Sequence, residues 1–176
     1  MTTDPRYPIG KVQFVDYSEK EKEARLADIL FLPRMLEYAV LNLDEIQIQT
    51  PYRDGGWTVN QLIHHVADSH MNAYIRCKLA LTEDNPTIKP YDQDAWVLTD
   101  DVKNVPVNIS ITLLHSLHHR WYELLKTLTE EDWKRTVYHP EQKREISLWN
   151  LLLIYAWHGK HHAAHITHLR ESKGWS

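Results

Sequence analysis

Four stretches of the sequence carry apolar residues at the three- to four-residue spacing that is typical of amphipathic helices. The predicted helices run from about Lys20 to Leu43, Thr58 to Leu81, Ile109 to Leu128 and Ser147 to Ser172. Because four such helices can bury their apolar faces against one another, the pattern predicts an all-α fold, a four-helix bundle. No linker or change in composition interrupts the pattern, so we expect residues 1–176 to form a single domain.

Local signals mark where two of these helices begin and where one is interrupted. Thr58 and Gln61 have the spacing of a capping box, and Ser147 is suited to cap the last helix. Pro33 lies inside the first predicted helix, where its missing N–H predicts a kink or a restart.

Two segments between the helices are predicted to be irregular. Residues 82–108 contain three prolines and predict a long loop between the second and third helices, and loops of this length are often functional. Residues 136–145 predict an irregular excursion or a short hairpin before the last helix.

Composition excludes several classes of function. The net charge is −4 and no basic stripe is present, which argues against a nucleic-acid partner. The apolar stretches are too short to span a bilayer and the N-terminus lacks a signal-peptide pattern, so we expect a cytoplasmic protein with no membrane partner. A single cysteine, Cys77, excludes an internal disulfide and a cysteine-based metal site.

Histidine is the unusual residue type, with 12 in 176 residues, and imidazole is a common metal ligand. On the last predicted helix, His158 and His162 are four residues apart and lie about 60° and 20° from the centre of the apolar stripe. Because buried imidazoles need a partner, these two are candidate metal ligands, with a hydrogen-bonded core pair as the alternative. His165 falls at the edge of the stripe, whereas His161 and His168 point away from it.

The other helices leave the third ligand open. On the second helix, His70 lies near the centre of the apolar stripe and His65 is roughly 115° away from it, so periodicity alone favours His70. On the third helix, His118 is about 60° from the stripe and could line a pocket. His115 and His119 face solvent on the same helix.

Motifs along nearly the whole chain resemble the DinB superfamily and, within it, the YfiT-like metal-dependent hydrolases, also described as bacillithiol S-transferases. These motifs are residues Thr50–Thr58, His64–Asn72, Tyr91–Asp92, His118–Trp121, Tyr138–Pro140 and Trp157–Ile166. The resemblance implies a four-helix bundle, a homodimer, and a three-histidine metal site formed by His65, His158 and His162. His65 therefore replaces His70 as the expected third ligand, and His70 becomes a candidate neighbour of the site.

Three histidines leave at least one coordination position open on a metal ion, as in catalytic sites. Zn²⁺ is the expected ion and Ni²⁺ also accepts imidazole, with one ion per chain. The open position could activate water to hydrolyse a small electrophilic substrate, or hold a low-molecular-weight thiol as thiolate for S-transfer. A third alternative is a metal-binding stress or sensor protein without turnover.

Five side chains are weaker candidates for contact with a small-molecule substrate. They are Arg76, Tyr91, Asp92, His70 and His118. Arg76 would suit a carboxylate, although a solvated position on a helix face is the alternative. Tyr91 and Asp92 lie in the predicted loop, where either a lid or a plain turn fits. No residue is assigned as the general base.

Overall fold

The computed structural model describes residues 4–175, which contain eight helices and one two-stranded sheet. The long helices are α1 (Glu19–Val40), α3 (Val59–Thr82), α6 (Val107–Lys126) and α8 (Leu148–Lys173). The short helices are α2 (Glu45–Ile48), α4 (Gln93–Trp96), α5 (Asp100–Asn104) and α7 (Glu130–Lys134). Strands β1 (Thr136–His139) and β2 (Arg144–Ser147) pair antiparallel. Within the described residues, every helix is too short or too polar to cross a bilayer.

Two of the long helices, α3 and α8, begin where their capping residues predict. The Thr58 hydroxyl accepts a hydrogen bond from the Gln61 amide at 3.1 Å, and the Gln61 side chain accepts one from the Thr58 amide at 3.0 Å. The Ser147 hydroxyl accepts one from the amide of Asn150 at 3.2 Å. The predicted four-helix bundle is therefore confirmed, and the predicted short hairpin is present as β1 and β2.

The buried apolar side chains form two clusters along the bundle. One cluster contains Trp121 and Trp133, and the other contains Leu36, Leu62 and Ile166. On each long helix, one part of the chain contributes to the first cluster and another part to the second. On three of these helices, α3, α6 and α8, buried histidines lie in sequence between the two parts. These buried histidines therefore lie between the two apolar clusters.

Sequence predicts a kink or a restart at Pro33, and α1 continues through this residue without a restart. Tertiary packing overrides the local signal, because the buried Pro33 lies on a helix that packs against both α6 and α8. Helices α1 and α8 approach each other closely at the turn of α1 that precedes Pro33. A Cβ atom at Gly159 of α8 would overlap the Leu32 side chain, so the position needs glycine.

The predicted loop at residues 82–108 is partly helical, since it contains α4 and α5. Helix α5 covers a second face of α3, where the side chain of Asn60 donates a hydrogen bond to the Val102 carbonyl at 2.6 Å. His64 contacts the same segment, with Nε2 lying 3.0 Å from the Val105 carbonyl. This cover explains why α3 buries more of its circumference than one apolar stripe predicts.

Helix α8 is also buried on more than one face. The apolar stripe places His161 on the outer face, but its exposed fraction is only 7%. The N-terminal segment covers it, because the Trp157 indole donates a hydrogen bond to the Gly10 carbonyl at 3.0 Å. The Tyr7 ring lies 6.1 Å from the His161 ring. His168 is exposed, as predicted.

Candidate metal centre

Three imidazoles from two facing helices converge on one point. They belong to His65 of α3 and to His158 and His162 of α8. The Nε2 atom of His158 lies 3.3 Å from that of His65 and 3.1 Å from that of His162. Within residues 4–175, this is the only group of three or more His, Cys, Asp or Glu side chains whose ligand atoms lie within 4.8 Å of one another.

The donor atoms fit a tetrahedral metal ion. Nitrogens about 2.0–2.1 Å from such an ion are roughly 3.3–3.4 Å apart, close to the separations found here. Without an ion, an unprotonated Nε2 on His158 has one lone pair facing two neighbouring nitrogens, and it can accept only one good hydrogen bond. A cation bound to all three nitrogens removes this conflict.

Burial keeps the three imidazoles unprotonated. It lowers the pKa of His65 to about 4. It also holds the pKa values of His158 and His162 well below their ordinary value, with neighbouring imidazoles adding to the effect. Because neutral imidazole is the form that binds a metal, the site is ready to accept one at neutral pH.

A chain of two further imidazoles lies behind His158. His70 Nε2 is 3.1 Å from His158 Nδ1, and His70 Nδ1 is 3.0 Å from His118 Nε2. His118 Nδ1 is in turn 2.6 Å from the carbonyl oxygen of Ile29 in α1. Both His70 and His118 are 0% exposed and neither lines a cavity beside the cluster. The expected substrate contact does not fit this placement, because both side chains are closed off behind the ligand.

The cluster forms part of the wall of a cavity of about 360 Å³. The same wall includes Trp57, whose ring lies 4.6 Å from that of His65, and the side chains of Asp94 and His161. Trp57 and Asp94 are not among the residues that sequence patterns single out. The only signal for Trp57 is its place in a matching motif, and Asp94 lies in the segment predicted to be a long loop.

A second cavity, of about 220 Å³, adjoins His158 from another side. Arg76 and Tyr91 line it together with His139, so two of the expected substrate-contact residues do lie beside the cluster. The Arg76 guanidinium donates a hydrogen bond to the Tyr155 hydroxyl at 3.0 Å. Within the described residues Arg76 forms no ion pair. Burial raises the pKa of the Tyr91 hydroxyl.

Asp92 has a structural role at the start of α4. Its carboxylate accepts hydrogen bonds from the amides of Asp94 and Ala95, both at 3.0 Å, and the side chain is exposed. Helix capping is therefore the role that its hydrogen bonds show, and the expected substrate contact stays a prediction.

Comparison with known proteins identifies the family. Residues 29–166 match the DinB superfamily. The chain belongs to the DinB superfamily. One DinB relative, "Putative metal-dependent hydrolase YfiT" of Bacillus subtilis (strain 168), is 48% identical over 171 residues, which cover 97% of this chain and 96% of that protein. Another, "Putative metal-dependent hydrolase OB0782" of Oceanobacillus iheyensis, is 50% identical over 171 residues, which cover 97% and 98%.

A solved structure also matches this chain. It is described as "YfiT from Bacillus subtilis is a probable metal-dependent hydrolase with an unusual four-helix bundle topology". The TM-score is 0.96 at 47% sequence identity, and the match covers 99% of this chain and 100% of that one. The resemblance seen in the sequence motifs is thereby confirmed at the level of family and fold.

Proposed function

We propose that this DinB protein is a metal-dependent hydrolase that acts on a small electrophilic substrate. The observation that carries the proposal is the convergence of His65, His158 and His162 at the wall of the 360 Å³ cavity. Relatives described as metal-dependent hydrolases support it at 48% and 50% identity.

The three histidines would hold one divalent ion per chain, with Zn²⁺ preferred and Ni²⁺ as the second choice. Three protein nitrogens on a four-coordinate ion leave one position for a reactant. When bound, the ion would supply Lewis acidity, which can bring the pKa of a coordinated water down to about 7. The Trp57 ring packs against His65 and would exclude water from the side of the ion where His65 lies.

Two side chains of the cavity wall are candidate proton acceptors, Asp94 and His161. Burial lowers the pKa of His161 to about 4, so it is unprotonated at neutral pH. However, its Nε2 atom lies 3.1 Å from that of His165, and its Nδ1 atom is buried. Asp94 is exposed, and we therefore propose it as the group to test for general-base function.

Arg76 would orient the substrate. It lines the second cavity together with His158, so its guanidinium charge lies beside the proposed metal site. A carboxylate is the group that a guanidinium recognises best through paired hydrogen bonds. We propose that preferred substrates carry a carboxylate that reaches this cavity.

Thiol S-transfer is the second candidate reaction, and one observation favours it. The two cavities share His158 and Gln93, so two reactants can approach the same cluster from different sides. In this reaction the thiol would lose its proton, and its sulfur would form a bond to the electrophilic carbon as the leaving group departs with its electron pair. Bacillithiol or another low-molecular-weight thiol would be the co-substrate.

Elemental analysis combined with an activity screen tests these proposals. We expect one metal ion per chain, and turnover that disappears on chelation and returns when Zn²⁺ or Ni²⁺ is restored. A hydrolase cleaves esters or amides in buffer alone, whereas an S-transferase needs added thiol and gives a thioether. Bound metal without turnover, either in buffer alone or with added thiol, would contradict both proposed enzyme activities. It would favour a metal-binding stress or sensor protein.

A further inference from the structure

A proline in α1 leaves a buried carbonyl without its helical partner. In an α-helix the amide at position 33 donates to the carbonyl at position 29, but Pro33 has no N–H. Ile29 is 0% exposed, so water cannot replace the missing donor. His118 of α6 replaces it, with Nδ1 2.6 Å from the Ile29 oxygen. The proline thus creates an acceptor for a histidine on another helix.

The Ile29 carbonyl determines which nitrogen donates in each hydrogen bond from His118 through His70 to His158. A carbonyl oxygen cannot donate, so His118 Nδ1 must carry the proton, and burial opposes a second proton on the ring. His118 Nε2 then accepts from His70 Nδ1, and His70 Nε2 in turn accepts from His158 Nδ1. A neutral His158 with its proton on Nδ1 has its lone pair on Nε2, the atom that faces His65 and His162.

We propose that Pro33 is a positioning residue for the metal centre, because the carbonyl that it frees anchors a one-way chain of imidazoles that holds His158 in its metal-binding tautomer. The chain is Ile29 carbonyl, His118, His70 and His158. It also fixes the ring plane of His158 before any ion arrives. A metal-ligating histidine commonly donates its second N–H to an acceptor that raises its basicity, and here that acceptor is itself held by the proline. This inference rests on the proposal that His158 is a metal ligand.

The tautomers can be measured in the metal-free protein. Long-range ¹H–¹⁵N NMR distinguishes a protonated from an unprotonated ring nitrogen. We expect His118, His70 and His158 each to carry the proton on Nδ1. A proton on Nε2 of His158 in the wild-type metal-free protein would overturn the proposal.

Substitution of Pro33 tests the first link. In Pro33→Ala the new amide competes with His118 for the Ile29 carbonyl, so the anchor is shared and weaker. We expect His158 to become a mixture of tautomers and zinc to bind about three- to tenfold more weakly, measured by competition with a chelator. Pro106→Ala is the matched control, because Pro106 lies at the start of α6 and is exposed. Unchanged zinc affinity in Pro33→Ala would overturn the proposal.

A double-mutant cycle separates this role from simple packing of the proline ring. His118→Phe removes both ring nitrogens, and we expect it to weaken zinc binding about 10- to 100-fold, with His115→Phe on the exposed face of α6 as control. In the His118→Phe background, Pro33→Ala should have no further effect on affinity. An undiminished effect there would show that Pro33 acts by another route.

The two proposals can fail separately. If the wild-type protein binds no zinc, the proposed function fails, but the tautomers of the metal-free protein still decide whether the chain is directed as inferred. If zinc binds and the tautomers or the cycle contradict the chain, the metal site stands and the role of Pro33 is lost.

Discussion

Helix α8 carries two histidine pairs with the same spacing and different surroundings. His158 and His162 are four residues apart, as are His161 and His165, and the Nε2 atoms within each pair lie 3.1 Å apart. The first pair receives a third ring nitrogen from His65 on the facing helix α3. Spacing along one helix therefore produces a pair, and the facing helix decides whether the pair becomes a metal site.

The second pair is surrounded by aromatic rings and a cation. The Tyr52 ring lies 4.2 Å from that of His165, and the Trp157 ring stacks on His161 at 4.4 Å. Burial, followed by the charges of His161 and Arg53, lowers the pKa of His165 to about 3. Within residues 4–175 no third ligand atom joins this pair, so it is better suited to a direct N–H···N hydrogen bond.

The largest expected effect is that removing a histidine of the first pair abolishes metal binding, whereas removing a histidine of the second pair does not. His162→Ala removes one of three converging nitrogens, and we expect metal content to fall from about one ion per chain to near zero. His165→Ala should retain about one ion per chain, because it leaves the three nitrogens in place. Elemental analysis of the purified variants measures both. Equal metal loss would show that the second pair also binds the ion.

His65, which supplies the third nitrogen, provides the next test of the difference between the two pairs. His65→Ala should lose the metal, since the His158 and His162 pair alone would resemble the second pair. His70→Ala should still bind one ion, but about 10- to 100-fold more weakly, because it removes the partner of His158 Nδ1. Metal retained in His65→Ala and lost in His70→Ala would reverse this assignment.

The fold was more predictable from sequence than this choice of ligand. Helix starts depend on nearby residues, and Thr58, Gln61 and Ser147 cap where their side-chain chemistry indicates. Periodicity correctly marks His70 as buried, but His65 is buried too, because its ring faces His158 and His162 of α8 and packs against the ring of Trp57. One helix cannot reveal what packs against its other faces, and only the family resemblance selected His65.

The support behind the ligands was not predictable from local patterns. The carbonyl of Ile29 and the ring of His118 are 89 residues apart in sequence. Sequence marks Pro33 only as a kink or a restart of α1, since the use of the carbonyl that it frees depends on the packing of α6. Arg76 was identified from its residue type, whereas its place beside His158 comes from the fold.

Acid should destabilise the metal-free protein through both histidine pairs. The second pair allows this effect to be tested without changing a proposed metal ligand. His165 has a pKa of about 3 when folded and about 6.5 when unfolded. Its stabilising contribution is therefore complete above about pH 6.5 and is lost as the pH falls toward 3, because the unfolded chain takes up the proton first. From pH 7.5 to pH 5, we expect His165→Phe to lose about 2 kcal/mol less stability than the parent protein.

Urea unfolding of the metal-free proteins at the two pH values measures this difference. His119→Phe is the control, because His119 is exposed on another helix, α6. If His165→Phe and the parent lost stability equally, the buried second pair would not contribute to acid sensitivity.

The smallest expected effect concerns a side chain that adjoins His158 without joining the cluster. Arg76→Gln removes the charge that we propose for substrate recognition, and hydrogen bonds to charged groups contribute about 1.5–3 kcal/mol. We expect KM for carboxylate-bearing substrates to rise about tenfold or more while metal content stays at about one ion per chain. Arg34→Gln is a matched control, because Arg34 donates to the Tyr38 hydroxyl at 3.2 Å on the exposed face of α1, as Arg76 does to Tyr155. Metal loss in Arg76→Gln would mean that Arg76 supports the ligands, and an equal KM in both variants would mean that its charge does not contact the substrate. Either result would remove Arg76 from the side chains that we propose to position the substrate, and metal loss would place it among those that support the ion.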